Sequence, residues 1–297
     1  MNFKAFSLII IVPAILLGLA ACSQSASKDV VDEMVDIGSH SLHLYCMGEG
    51  SPSVVIDVGF GDSYTNWLTI QEGVAQDTRV CAYERAGYGS SQPGPMPRSS
   101  QQVADELKVL LEKAGVSGPY VLVGHSLGGL NVQVFVNQHP DLVAGAVLLD
   151  PSPLGFITGE RFPGLYQMAE QETAGLLAAA EHARGATDPE EKAKASYYQT
   201  LASEHAMMMA ESAQQVAAIE SFGEVPLIVL ASGKPNPVFG DSAGAFQQFW
   251  IEQNQALAAK SADGTFILAE ESGHNLYLDA PDVVLDAIRQ LVQEVQE

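Results

Sequence analysis

The sequence predicts an α/β protein: a mostly parallel central sheet flanked by helices. Three observations carry this. Short apolar runs alternate with amphipathic helical patterns along most of the chain, as expected of strands joined by crossover helices and covered on both faces. A turn rich in glycine, Gly124-His125-Ser126-Leu127-Gly128-Gly129, separates one such run from a helical pattern. The alternation stops between Pro151 and Gly223, where Ala, Glu, Gln and Met dominate, so a helical segment is inserted after the strand that ends at Leu149. The 297 residues, 47% of them hydrophobic, suffice for one large core and a smaller insertion.

The elements follow in order. Residues 1–21 read as an export signal: Lys4 is the only charge before an apolar run that ends at Leu19-Ala20-Ala21-Cys22, short for a membrane-spanning helix. This end resembles the bacterial lipobox, which implies acylation of Cys22. Residues 22–36 read as a polar tether. The first core segment is 37–150. In it Ser41–Cys46, Ser53–Val58, Thr78–Tyr83, Tyr120–Val123 and Ala144–Leu149 read as strands. A helix from about Gln101 is capped by Ser99 and Gln102 and buries Val103, Leu107, Leu110 and Leu111. Another starts near Leu127 and ends before Pro140. After the helical insertion, 151–223, the second core segment 224–297 holds strands at Val225–Ala231 and Thr265–Ala269 and a helix around Gln247–Ala259. A last helix begins near Pro281, with Asp279 available as its cap.

Charge narrows the function. With 14 Lys+Arg against 36 Asp+Glu, net −22, the surface repels a polyanion, so nucleic acid is not an expected partner.

Chemistry concentrates at the turn. Gly-x-Ser-x-Gly between strand and helix is the pattern of a nucleophile elbow, where a sharp reversal exposes the Ser126 hydroxyl beside free helix N–H groups. A serine hydroxyl needs a base. Of seven histidines, His40 and His43 lie near the first strand, His139 at a helix end, and His182 and His205 in the insertion. His125 belongs to the elbow, with its side chain expected to pack away from the site. His274, in Glu271-Ser272-Gly273-His274-Asn275, follows the last strand at the sheet edge where ligands bind. The acid that orients it is Asp150, at a strand end, with Asp241 as the alternative on a looser loop. Two backbone donors, Leu127 N–H and Phe60 N–H in Gly59-Phe60-Gly61-Asp62-Ser63, are candidates for an oxyanion hole. Met207, Met208, Met209, Leu176 and Leu177 are candidates for an apolar pocket lining. No metal or organic cofactor is implied.

With the elbow, the Gly59–Gly61 loop, the turn Tyr83-Glu84-Arg85-Ala86-Gly87-Tyr88-Gly89-Ser90 and the Ser272-Gly273-His274 loop in place, the chain resembles the α/β-hydrolase superfamily over about residues 37–296, in its capped serine-hydrolase branch. Val58 and Glu84 depart from the His and Asp that many relatives carry there. Relatives that are dehalogenases or epoxide hydrolases use an aspartate at the elbow, so Ser126 argues against those reactions. The resemblance implies a helical cap over 151–223 and cleavage of small carboxylic esters through an acyl-enzyme on Ser126. Lactonase, thioesterase or peptidase action on the same fold are alternatives, as is a non-catalytic lipoprotein that binds an apolar ligand. It also makes the strands of Cys46 and Cys81 neighbours, which with export predicts a disulfide. The expected location is the bacterial cell envelope, held to the outer membrane by lipid on Cys22. Protein partners are not indicated.

Overall fold

The computed structural model describes residues 30–154 and 161–296. The signal, Cys22 and the start of the tether lie outside them. An eight-stranded sheet has the order β1-β2-β4-β3-β5-β6-β7-β8. Its strands are β1 (Val31–Asp36), β2 (Ser41–Met47), β3 (Ser53–Asp57), β4 (Val80–Glu84), β5 (Tyr120–His125), β6 (Val143–Leu149), β7 (Leu227–Ser232) and β8 (Gly264–Ala269). From β4 to β8 all pairings are parallel, while β2 runs antiparallel to both β1 and β4. The strands β3 to β7 are almost wholly buried, which explains their uninterrupted apolar runs.

Helices α1 (Leu68–Val74), α8 (Leu276–Asp279) and α9 (Pro281–Glu294) cover one face. Their Ile70, Leu276 and Ile288 join Val54, Val123 and Leu149 in one cluster. On the other face α2 (Ser100–Lys113) and α3 (Leu127–Gln138) bury Leu107, Leu110 and Phe135 against Leu44, Val55 and Leu122. Among the described residues the remaining α-helices are α4 (Pro163–Gly185), α5 (Pro189–Met208) and α6 (Glu211–Ala217), which belong to the insertion, and α7 (Ala243–Ala258) between β7 and β8. The pair α4 and α5 packs as an antiparallel hairpin started by Pro163 and by Asp188, whose carboxylate accepts from Glu190 N and Glu191 N.

Three expectations are corrected. The tether stops short: Val31–Asp36 is a strand, paired residue by residue with β2. Its sequence VDEMVD is mostly exposed, with only Val35 buried, so backbone pairing at a sheet edge, rather than an apolar face, builds it. Asp279 does not cap the last helix. Its carboxylate instead accepts from Gly273 N at 2.8 Å, and Ala280 occupies the cap position. Helix α7 begins at Ala243, four residues ahead of the expected start.

Cys46 and Cys81 face each other in the β2–β4 register and are joined by a disulfide. The bridge closes a loop over a separation of 35 residues that includes the Gly59–Gly61 turn. Replacing both cysteines by alanine should lower unfolding free energy by roughly 2–4 kcal/mol, because the cross-link limits the unfolded chain. Urea melts of the oxidised wild type against the double variant read this directly.

Candidate active site

The elbow is built by steric necessity. Ser126 has φ 52° and ψ −115°, a left-handed conformation that costs a non-glycine residue energy unless its surroundings hold it. Here Ser126 N donates to Leu149 O of β6, and Ser126 O accepts from Gly129 N as α3 begins. Gly128 lets this reversal close: a Cβ there would lie 2.1 Å from Asp57 O. Leu127 is the first residue of α3, so its N–H has no partner within the helix and, with the helix dipole, favours negative charge at the Ser126 side chain.

Asp150 follows β6, is almost fully buried and has φ 47°. Its Oδ1 accepts from Ser232 N at 2.8 Å, and Oδ2 accepts from Ser232 Oγ at 2.9 Å. Gln247 of α7 donates to Ser232 O and Oγ at 2.6 and 3.1 Å, bracing that serine. His274 Nδ1 lies 2.6 Å from Asp150 Oδ2. An ionised carboxylate only accepts, so the imidazole proton sits on Nδ1 and Nε2 is left as a base. The alternative acid, Asp241, is exposed on the 3₁₀ turn Pro237–Ser242, away from this pairing.

Ser126 and His274 open on one cavity of about 260 Å³, which Gly59, Phe60, Glu172 and His205 also line. Gly59 permits a close approach here: a Cβ would lie 2.7 Å from His125 Nδ1 and 3.7 Å from Ser126 Cβ. Phe60 N–H and Leu127 N–H thus belong to the two segments that meet at the serine.

His125 corrects the sequence reading. It packs against the site: its Nε2 donates to His274 O at 2.9 Å, and the two rings are 4.8 Å apart. Burial, reinforced by the charge of a protonated His274, pushes its pKa down to about 4. Above pH 6.5 it is neutral folded or unfolded, and stability is full. As pH falls from 6.5 to about 4 the unfolded chain takes up a proton that the folded one refuses, so the contribution of His125 to stability drops by about 3 kcal/mol and then levels. Urea melts from pH 8 to 4 should show this loss reduced in His125→Gln, which keeps a donor but does not titrate.

One cavity-lining residue of the cap escaped the sequence reading. His205, on α5, is buried by its neighbours and pushed below its usual pKa by that burial. Its Nδ1 pairs with Thr173 Oγ1 at 2.8 Å, its Nε2 lies 3.5 Å from Glu172 Oε2, and its ring is 5.3 Å from Phe60. Of the expected pocket residues, Met208 lines the cavity, but Leu177 is exposed and faces a separate groove with Met96. Helical periodicity distinguishes faces, and α5 presents both a polar and an apolar residue to the cavity.

The alpha/beta hydrolase family matches residues 54–287, and the chain belongs to it. It is 26% identical to the uncharacterized protein YqjL of Bacillus subtilis over 249 residues, spanning 84% of this chain and 86% of YqjL. A thermophilic esterase from Thermogutta terrifontis superposes with a TM-score of 0.64 at 21% identity, covering 91% of this chain and all of the esterase chain. A mutant form of a putative epoxide hydrolase from Pseudomonas aeruginosa gives 0.66 at 18% identity, covering 90% and 96%. At these identities the likeness is one of fold.

Proposed function

We propose that the chain is a serine hydrolase cleaving carboxylic esters by acyl transfer, with Ser126 as nucleophile, His274 as base and Asp150 as the acid that orients it. The observation that carries this reading is the Asp150–His274 pairing at 2.6 Å beside the strained Ser126 on one cavity. His274 Nε2 takes the Ser126 proton as Oγ attacks the ester carbon. The N–H groups of Phe60 and Leu127 hold the oxyanion, and the protonated imidazole then delivers the proton to the departing alkoxide. Water, deprotonated by the same nitrogen, releases the acid. An epoxide or halide displacement lacks its usual nucleophile here, because Ser126 stands where those relatives carry aspartate.

Among the described residues, the cavity lining contains the carboxylates of Asp62 and Glu172 and neither Lys nor Arg. Asp62 is committed to Trp67 Nε1, Asn66 Nδ2 and Ser63 N, whereas Glu172 is largely exposed. That electrostatics suits a neutral acyl group rather than an anionic one. A series of neutral p-nitrophenyl esters of graded chain length tests the function: turnover is expected at the short end for a cavity of about 260 Å³, and no turnover with any member would refute it.

The same proposal places the enzyme in the bacterial cell envelope, lipid-anchored through Cys22. Its support is the apolar run ending at Leu19-Ala20-Ala21-Cys22 together with a Cys46–Cys81 disulfide suited to an oxidising compartment. Metabolic labelling with palmitate should mark the wild type and not Cys22→Ser.

A further inference from the structure

The cap reaches the catalytic loop through charge. Glu204 of α5 is 1% exposed and lies beneath the cap against Arg85, which is equally buried. Arg85 Nε and Nη2 donate to its two oxygens at 2.8 and 3.0 Å. The same guanidinium donates to Asp57 Oδ1 at 2.8 Å, to Val58 O at 2.6 Å and to Gly59 O at 3.1 Å. Tyr88 OH donates to Glu204 Oε2 at 2.5 Å and accepts from Gly61 N at 3.2 Å. Glu204 therefore acts, through one guanidinium and one phenol, on the backbone immediately before and immediately after Phe60.

Peptide geometry makes that contact directional. In a planar trans peptide the carbonyl and the following N–H point in opposite directions. Holding Gly59 O on Arg85 aims the Phe60 N–H the other way, and tying Gly61 N to Tyr88 keeps the next peptide from rotating it. The electrostatics also exceed what cap attachment requires. Asp57 is a first buried carboxylate partner of Arg85, at 2.8 Å. A second buried carboxylate adds desolvation that an apolar side chain would avoid, so its use lies in the orientation it imposes.

We infer that Glu204 is a positioning residue for the oxyanion loop: seated in the core, the cap carboxylate holds Arg85 and Tyr88 so that the Phe60 N–H faces the carbonyl oxygen bound at Ser126. This rests on the proposed acyl transfer at Ser126. Glu204 touches no substrate, and its effect belongs to the transition state, where the oxyanion exists, more than to the bound ester.

The test compares wild type, Glu204→Gln and Tyr88→Phe with p-nitrophenyl acetate. It also measures inhibition by phenylboronic acid, whose boron accepts Ser126 Oγ and places an oxygen where the oxyanion would sit. Circular dichroism verifies folding, and a fluorophosphonate probe verifies wild-type Ser126. Glu204→Gln should lower kcat about 10-fold with KM within about twofold, and weaken boronate inhibition by a similar factor. Tyr88→Phe, which removes one oxygen, should show the same split at about 5-fold. A structural loosening would instead raise KM and weaken substrate and boronate alike. A folded Glu204→Gln that keeps kcat and boronate affinity overturns the inference alone; if that variant does not fold, Tyr88→Phe with both values unchanged does so. A wild type with neither turnover nor labelling overturns the serine reading and this inference with it.

Discussion

Ser126→Ala should abolish ester turnover by roughly 10³-fold or more while leaving the fold intact, since nucleophile, base and acid act as a unit. Alanine keeps the Cβ and with it the same backbone demand at φ 52°, so the elbow still closes on Leu149 O and Gly129 N. What disappears is the oxygen proposed to form the acyl bond. A fluorophosphonate should label the wild type at Ser126 and leave the variant unmarked. Labelling of a different serine, or turnover surviving in a folded Ser126→Ala, would move the nucleophile elsewhere.

Asp150→Asn should be nearly as severe, on the order of 10³–10⁴-fold in kcat. The reason lies in which way the new amide must point. Ser232 N donates to Oδ1 at 2.8 Å, so the amide oxygen has to remain on that side. The NH₂ then replaces Oδ2, where Ser232 Oγ can turn to accept but His274 Nδ1 must become an acceptor as well. The imidazole proton moves to Nε2, and the base facing the cavity is lost. Asp241→Asn, on the exposed turn, should change kcat by less than about twofold. Steady-state kinetics of the two variants at one pH distinguish the carboxylates, and the opposite ranking would assign the acid to Asp241.

Much of the fold was legible because it is written in local patterns. The buried strands β3 to β7 announce themselves as apolar runs, and the elbow as a glycine-flanked serine between strand and helix. Strand β1 was not legible. Only Val35 of its six side chains is buried, so VDEMVD reads like a tether until β2 offers its backbone edge. Asp279 illustrates the same limit: it stands where a helix cap belongs, yet the folded loop brings Gly273 N within 2.8 Å. His205 and Glu204 lie on a cap helix with no motif, and no local signal marks them as neighbours of the cavity and of Arg85.

The sequence by itself determined the candidate nucleophile, the histidine after the last strand, the insertion between strands and a choice of two carboxylates. Each is set by spacing along a few residues, where steric limits on the backbone leave few conformations. Tertiary structure alone decided which carboxylate meets the histidine, across 124 residues, and which cap residue meets Arg85, across 119. Such meetings depend on sheet order and on how the cap seats against the core. Within a helix or loop many polar residues are locally equivalent, and only the burial of one of them against a distant partner separates it from the rest.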